Sequence, residues 1–347
     1  VLQARLDYIT RITEQSSNTY ILENGMRVAV KRSELIEYFK YIIVAIRKDR
    51  WVANLFYRLA DKNTRNGIQI FEDFCKSGHM KEKDILAMRV LGDDAQIPAY
   101  RFENVLLRKN RRFYNGDESN FVNLFASDYN DDFPDPFVRA DILNWLYQVQ
   151  ALSGPTGDKG LFQVSELARS LQVYGHSLAV IYRELAYLAR KNLVLCENSA
   201  MPIEEGDLVK ITIPGALHLQ MLRNVSYLSA CAEDTLFKNT EVMTRISNRL
   251  KFHESDSKLV VALNARDLVN YLIEYRKEYL TSSDELVSEK AIISSVDLND
   301  SLHAVEQWIQ ADENLKKTIS EIDYFTVDMD VDACVVSKNR SEERRVG

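Results

Sequence analysis

LFQVSELARSLQVYGHSLAVIYRELAYLARKNLVLC, residues 161–196, is the stretch whose reading decides the fold. Leu161-Phe162-Gln163 reads as a short strand. Ser165 is placed to cap a helix that buries Leu167, Ala168 and Leu171. A turn at Tyr174-Gly175 leads into a second helix. Its apolar residues Leu178, Ile181, Leu185 and Leu188 fall at i, i+3, i+7 and i+10, on one face. Residues 193–196 and 208–213 then read as two strands, joined by the polar loop from Glu197 to Asp207 and ended by Pro214-Gly215. Upstream, residues 137–152 read as a helix with Ile142, Leu143, Trp145 and Leu146 turned inward. Helix, strand, helix, turn, helix and hairpin, in that order, predict a winged helix-turn-helix domain over 131–215.

Working outward, helical periodicity dominates. Residues 1–20 read as a helix, followed after the turn signal Asn24-Gly25 by a β-like segment, Met26 to Val30. Ser33 is placed to cap a helix through Leu35, Phe39, Ile42, Ile43 and Ile46. A further helix carries Leu55, Leu59 and Ala60. The next carries Ile68, Phe71, Phe74 and Cys75 and ends near Gly78. These make a helical domain over 1–130. The acidic, proline-containing stretch Ser127 to Pro136 reads as a linker. After the winged helix, residues 216–281 form a helical extension that includes Leu263, Leu268, Tyr271, Leu272 and Tyr275. An acidic region, 282–339, holds a helix with Val305, Trp308 and Ile309 and a terminal strand, Phe325 to Val335.

Composition agrees with a mainly α fold. The 347 residues are 46% hydrophobic and 27% charged, with 12 glycines and 6 prolines. The formal charge of -7 argues against general binding to nucleic acid or anionic membranes, though a local basic face is compatible with it. Cys75, Cys196, Cys231 and Cys334 are widely spaced and form no C-x-x-C pair, so they read as reduced thiols of a cytoplasmic protein. No apolar run reaches about 18 residues. The amphipathic start, Val1 to Arg5, does not resemble a signal peptide. Residues 340–347, Arg340 to Gly347, resemble a translated sequencing adapter and are set aside as an artefact tail. With no methionine at Val1, the expectation is an internal piece of a longer protein.

No complete catalytic set emerges. Gly154-Pro155-Thr156-Gly157-Asp158-Lys159-Gly160 has the wrong spacing for a phosphate-binding loop, lacks its hydroxyl residue, and follows a helix where a strand is required. It reads as a connecting loop. Asp328, Asp330 and Asp332 alternate as cation ligands would, but without the glycine of a calcium loop they read as a solvated strand face. His79, His176, His218, His253 and His303 show no zinc spacing. Two basic features remain. Arg108, Arg111 and Arg112 lie beside Phe113 and Tyr114, where cations and aromatics can hold phosphates and bases, or simply face water. Tyr182, Arg183, Ala186 and Arg190, with Lys191, form the outer face of the helix that enters the major groove in DNA-reading winged helices. The wing residues Glu204, Glu205 and Asp207 would repel phosphate there.

The segment Lys62-Asn63-Thr64-Arg65-Asn66-Gly67-Ile68-Gln69-Ile70-Phe71 resembles the lid helix of AAA+ and related STAND ATPases, as in origin-recognition-type initiators. Three more stretches resemble bacterial members of this group: Asn104 to Phe125, the winged helix, and Gly215 through Thr235. The resemblance covers about residues 1–240. It implies that Arg65 is the second sensor, reaching the γ-phosphate of ATP. Lys62 stands where the family usually carries glycine. The resemblance further implies a parent ATPase that uses ATP and Mg. Its nucleotide-binding core would precede Val1, so this chain by itself would hold no cofactor and catalyse nothing. The expected partners are that core and a protein surface or second copy in preference to DNA, with no membrane contact. The alternative is a stand-alone winged-helix transcription regulator using Arg183, Arg190, Lys191, Arg108, Arg111 and Arg112 on DNA.

Overall fold

The computed structural model describes residues 17–21, 27–79, 90, 98–128, 134–198, 202–253, 257–279 and 295–322. The chain is mainly helical. Strands β1 (Ser17–Ile21) and β2 (Arg27–Lys31) form an antiparallel pair, from Ser17 opposite Lys31 to Ile21 opposite Arg27. The helix expected over 1–20 is therefore corrected at its end. Thr19, Tyr20 and Ile21 favour a strand, and the alternating Val28 and Val30 offer one to pair with.

Four helices follow: α1 (Arg32–Lys48), α2 (Arg50–Ala60), α3 (Thr64–Lys76) and α4 (Ala99–Arg108). Asp49 caps α2 by accepting the amides of Trp51 and Val52. Ile42, Val52, Leu55, Phe74, Phe102 and Leu106 are fully or almost fully buried between these helices. Each such side chain contributes about 1.5–3 kcal/mol of burial free energy.

The 138–211 region holds α5 (Val138–Val149), β3 (Phe162–Gln163), α6 (Val164–Gln172), α7 (Leu178–Arg190), β4 (Val194–Cys196) and β5 (Leu208–Ile211). The sheet is antiparallel in the order β3-β5-β4, with Phe162 opposite Val209 and Leu195 opposite Lys210. The order of elements is the one the sequence predicts. Two details differ. Ser165 lies inside α6 rather than capping it, because the first amides, of Val164 and Ser165, donate at 3.0 Å to the carbonyls of Asp207 and Glu205. Leu178 is 41% exposed, since it opens α7 before the helix meets the core, whereas Ile181, Leu185 and Leu188 are fully buried.

Beyond β5 come α8 (Ile213–Met221), α9 (Val225–Asp234), α10 (Thr240–Phe252), α11 (Lys258–Tyr279), α12 (Asn299–Gln310) and a helix over 313–322, α13. Pro214-Gly215 does not end the domain. It forms the first turn of α8, where Thr212 accepts the Gly215 amide at 3.1 Å. A Cβ on Gly215 would sit 2.2 Å from the Leu193 carbonyl oxygen, so glycine lets α8 leave the sheet at close quarters. The end of the acidic stretch before α5 is anchored too, through Asp135. Phe125 and Phe137 are fully buried and Asp135 is 8% exposed. One apolar cluster runs from Ile42 to Ile319, so the units expected at 1–130, 131–215 and 216–281 share a core.

The Gly154–Gly160 loop has a structural explanation. Gly157 and Gly160 have φ of 86° and 75°, and a Cβ on Gly154 would lie 1.6 Å from the Leu161 carbonyl oxygen. Gly154→Ala is expected to lower stability by about 2–4 kcal/mol in urea unfolding. Gly157→Asn, with nothing near its Cβ and a residue that tolerates the left-handed region, should cost under about 1 kcal/mol. Equal stability of Gly154→Ala and the parent chain would refute this account.

Candidate functional site

Arg65 lies in the first turn of α3 and is exposed. Asn63 caps that turn, accepting the amides of Arg65 at 2.9 Å and Asn66 at 3.4 Å. The approach is a tight left-handed bend, with Asp61 at φ 46° and Lys62 at φ 60°. A non-glycine residue there costs about 1–2 kcal/mol. Lys62 thus occupies a backbone position suited to glycine. Behind the bend, Gly67 packs against Phe56 and Ala60, bringing α3 close to α2. A cavity of about 550 Å³ opens beside them, lined by Ile43, Ile46, Phe56, Tyr57, Ile68 and Phe71 and edged by Arg47 and Lys62.

The Asn104–Phe125 and Gly215–Thr235 stretches, far apart in sequence, meet in one buried polar network. Residues 113–125 are largely irregular, yet Phe121, Leu124 and Phe125 are fully buried. Their backbone groups therefore need partners. His218 of α8 supplies one: Nε2 accepts the Val122 amide at 2.9 Å, while Nδ1 donates to the Pro214 carbonyl at 2.7 Å. Burial lowers its pKa to about 4, so the ring stays neutral, as that pattern requires. Tyr227 of α9 donates its hydroxyl to the Val122 carbonyl at 2.8 Å and accepts the Leu124 amide at 3.2 Å. Tyr114 donates to the Phe121 carbonyl at 2.7 Å. At the end of α9, Glu233 accepts the Tyr114 amide at 2.7 Å and Asp234 accepts the Gly116 amide at 3.1 Å.

This network takes Arg108 out of reach of any nucleic acid. Its guanidinium is buried, ion-paired with Glu233, and bonded to Asn104 at 2.9 Å. Burial raises the Glu233 carboxyl above its ordinary range, against the pull of Arg108 and the Tyr114 amide. The basic run therefore divides. Arg108 is a core cation, and only Arg111 and Arg112 are exposed. Arg111 pairs with Glu118, and Arg112 lies 4.9 Å from the centre of the Phe113 ring.

The outer face of α7 is also engaged. Arg183 Nε donates to Glu184 at 2.8 Å, and Nη1 lies 3.9 Å from Asp128. Glu184 is buried and also accepts Arg139 Nε at 2.6 Å. Arg139 stacks 3.9 Å from the Tyr187 ring centre, and the Tyr187 hydroxyl donates to Asp117 at 2.7 Å. Lys191 donates to the Asp117 carbonyl. Arg190 is exposed. Arg183, Arg190 and Lys191 were legible in the sequence as an outward face; Asp117, Asp128 and Arg139 were not, since no local pattern pairs them with α7.

Asp328, Asp330, Asp332 and the strand expected there lie outside the described residues, as do Cys334 and the 340–347 tail. Cys75, Cys196 and Cys231 are free thiols. Among the described residues no cluster of metal-ligating side chains occurs, and no helix is long and apolar enough to cross a membrane. No family model, curated protein or solved structure matches the chain.

Tyr227→Phe removes the one hydroxyl that serves both Val122 and Leu124. The variant should lose about 1–3 kcal/mol, because the buried Val122 carbonyl loses its donor and the Leu124 amide is left to the weaker Cys231 thiol. Tyr147→Phe, at a half-exposed position of α5, should change stability by less than about 0.5 kcal/mol. Matching denaturation midpoints for the two variants would contradict the clamp.

Proposed function

We propose that this chain is the lid and winged-helix part of a cytoplasmic P-loop ATPase, coupling nucleotide state to a protein-interaction surface. The observation that carries the reading is Arg65: an exposed cation on a capped first helical turn, reached through a left-handed bend at the position where the resembled lid carries glycine. An arginine so placed can meet a γ-phosphate by a charge-assisted contact. In the proposal, ATP and Mg sit in a core supplied by sequence preceding Val1. Transmission to the 138–211 unit has a physical route. The unit continues through Thr212 directly into α8, α8 packs on α2, and Arg58 of α2 donates to Gln220 of α8. The α2–α3 pair and the winged helix would then move as one piece.

Two measurements test the nucleotide role. The coding sequence ahead of Val1 is expected to contain GxxxxGK followed by Ser or Thr. In the protein that includes it, Arg65→Ala should reduce ATP turnover while shifting stability by no more than about 0.5 kcal/mol. A start codon directly before Val1, robust ATP hydrolysis by this chain alone, or undiminished turnover in Arg65→Ala would each overturn the proposal.

For the partner we favour protein, another subunit or a second copy, over DNA. Arg183, Tyr187 and Lys191 already bond within the chain, and Arg108 is buried. Arg190, Arg111 and Arg112 are too few cations to neutralise the six or more phosphates of a firm duplex contact. Duplex binding should therefore be weaker than about micromolar at physiological salt. Submicromolar affinity that disappears in Arg190→Glu and falls steeply with added salt would favour the transcription-regulator reading instead.

A further inference from the structure

Buried Asp135, His176 and Asp141, with partly exposed Arg276, form a chain of charges that the proposed ATPase coupling does not use. Asp135 precedes α5, Asp141 lies in its first turn, His176 sits before α7, and Arg276 is near the end of α11. His176 Nδ1 is 2.5 Å from Asp135, and Nε2 is 3.0 Å from Asp141. Arg276 reaches the same Asp141 oxygen at 3.3 Å. The other Asp141 oxygen accepts the Val296 amide at 2.7 Å. Arg276 also donates to the Val296 carbonyl and, at 3.0 Å, to the Ser295 hydroxyl. With a carboxylate facing each ring nitrogen, both nitrogens donate, and the geometry itself calls for an imidazolium.

The chain of charges ends on residues 295–298, which pass between two cavities. One, of about 600 Å³, is bordered by Trp51, Asn144 and Gln220. The other, of about 550 Å³, is bordered by Tyr174, Ile273 and Lys277. Ser295, Val296 and Asp297 line both. With open space on either side, the segment depends on the Asp141–Arg276 grip and on burial of Val296 and Leu298. If His176 loses a proton, the remaining one stays on Nδ1, at the shorter contact. Among the described residues Asp135 otherwise accepts the Phe137 amide, whereas Asp141 keeps Arg276. The Nε2 lone pair then opposes the Asp141 carboxylate, the group that holds Val296.

We propose that this chain is a proton-dependent latch. While His176 is charged it holds residues 295–298 and the start of α12 in place; once His176 is neutral they are released, and the two cavities join into one cleft.

Burial disfavours the charge on His176, but its hydrogen bonds to the Asp135 and Asp141 carboxylates outweigh it and raise the pKa to about 9. A histidine with a folded pKa above its unfolded value of about 6.5 stabilises fully below that value, and the contribution is lost as pH rises through about 9. Of the other groups facing the chain, Arg276 carries a guanidinium, and burial raises the pKa values of Tyr174 and Tyr275 above the ordinary tyrosine value.

Amide hydrogen exchange of the whole chain, corrected for base catalysis, tests the latch. Between about pH 7.5 and about pH 10, the 295–302 peptide should lose roughly tenfold or more in protection, while the 138–149 and 305–319 peptides keep theirs. In His176→Gln the 295–302 peptide should be poorly protected at every pH. Undiminished protection in the parent chain through about pH 10, or simultaneous loss in all three peptides, overturns the proposal. So does an identical fall with pH in His176→Gln. If that variant does not fold, the parent series alone decides. None of these readouts involves nucleotide, so failure here is distinct from failure of the ATPase reading.

Discussion

The structure rests on the need to satisfy backbone polar groups in a buried segment that is neither helix nor sheet. Tyr114, Gly116 and residues 121–125 lie in the interior, where an unpaired amide or carbonyl costs about 1–3 kcal/mol. Helices α8 and α9 meet that need with side chains: His218 and Tyr227 at Val122 and Leu124, Glu233 and Asp234 at Tyr114 and Gly116. The clamp draws on residues about a hundred positions away, and the first helices, the 138–211 unit and the helices after it share one apolar cluster. Neutral His218 suits its place, since a charged ring could not accept the Val122 amide.

Buried charge follows the same economy. Arg108 meets Glu233, Arg139 meets Glu184, and His176 lies between two aspartates. A buried ion pair adds little net stability over a well-packed apolar alternative, but losing one partner costs about 3–5 kcal/mol. Such pairs specify arrangement. Arg139 ties α5 to α7 and, through the Asn123 carbonyl at 3.1 Å, to the buried segment. Tyr187 and Lys191 tie α7 to Asp117. The face of α7 that a DNA-reading helix would present to phosphates is used in part to hold this protein together.

Much of the architecture was legible from periodicity. The 3.6-residue spacing of Ile181, Leu185 and Leu188, the glycine turn at Gly175, and the short apolar runs at 194–196 and 208–211 depend on local chemistry, and the elements fall where that chemistry puts them. The Asn63 cap and the bend before α3 were not read from the sequence, although both are properties of a few adjacent residues. Arg108 was misread for a non-local reason. In sequence it looks like Arg111 and Arg112, and only the buried Glu233, 125 positions away, distinguishes it.

The sequence by itself determined the mainly helical class, the order of elements through the 138–211 unit, and the glycines that the loop and the start of α8 require. These follow from backbone sterics and side-chain periodicity, which act over a few residues. Only the tertiary structure decided that the expected linker at Asp135 is an anchor, that Pro214-Gly215 opens a helix, and that His176 is a charged bridge while His218 is neutral. A histidine takes its charge from the groups that surround it, and those groups come from distant parts of the chain. No local pattern records which carboxylates or amides folding will bring within about 3 Å of a ring nitrogen.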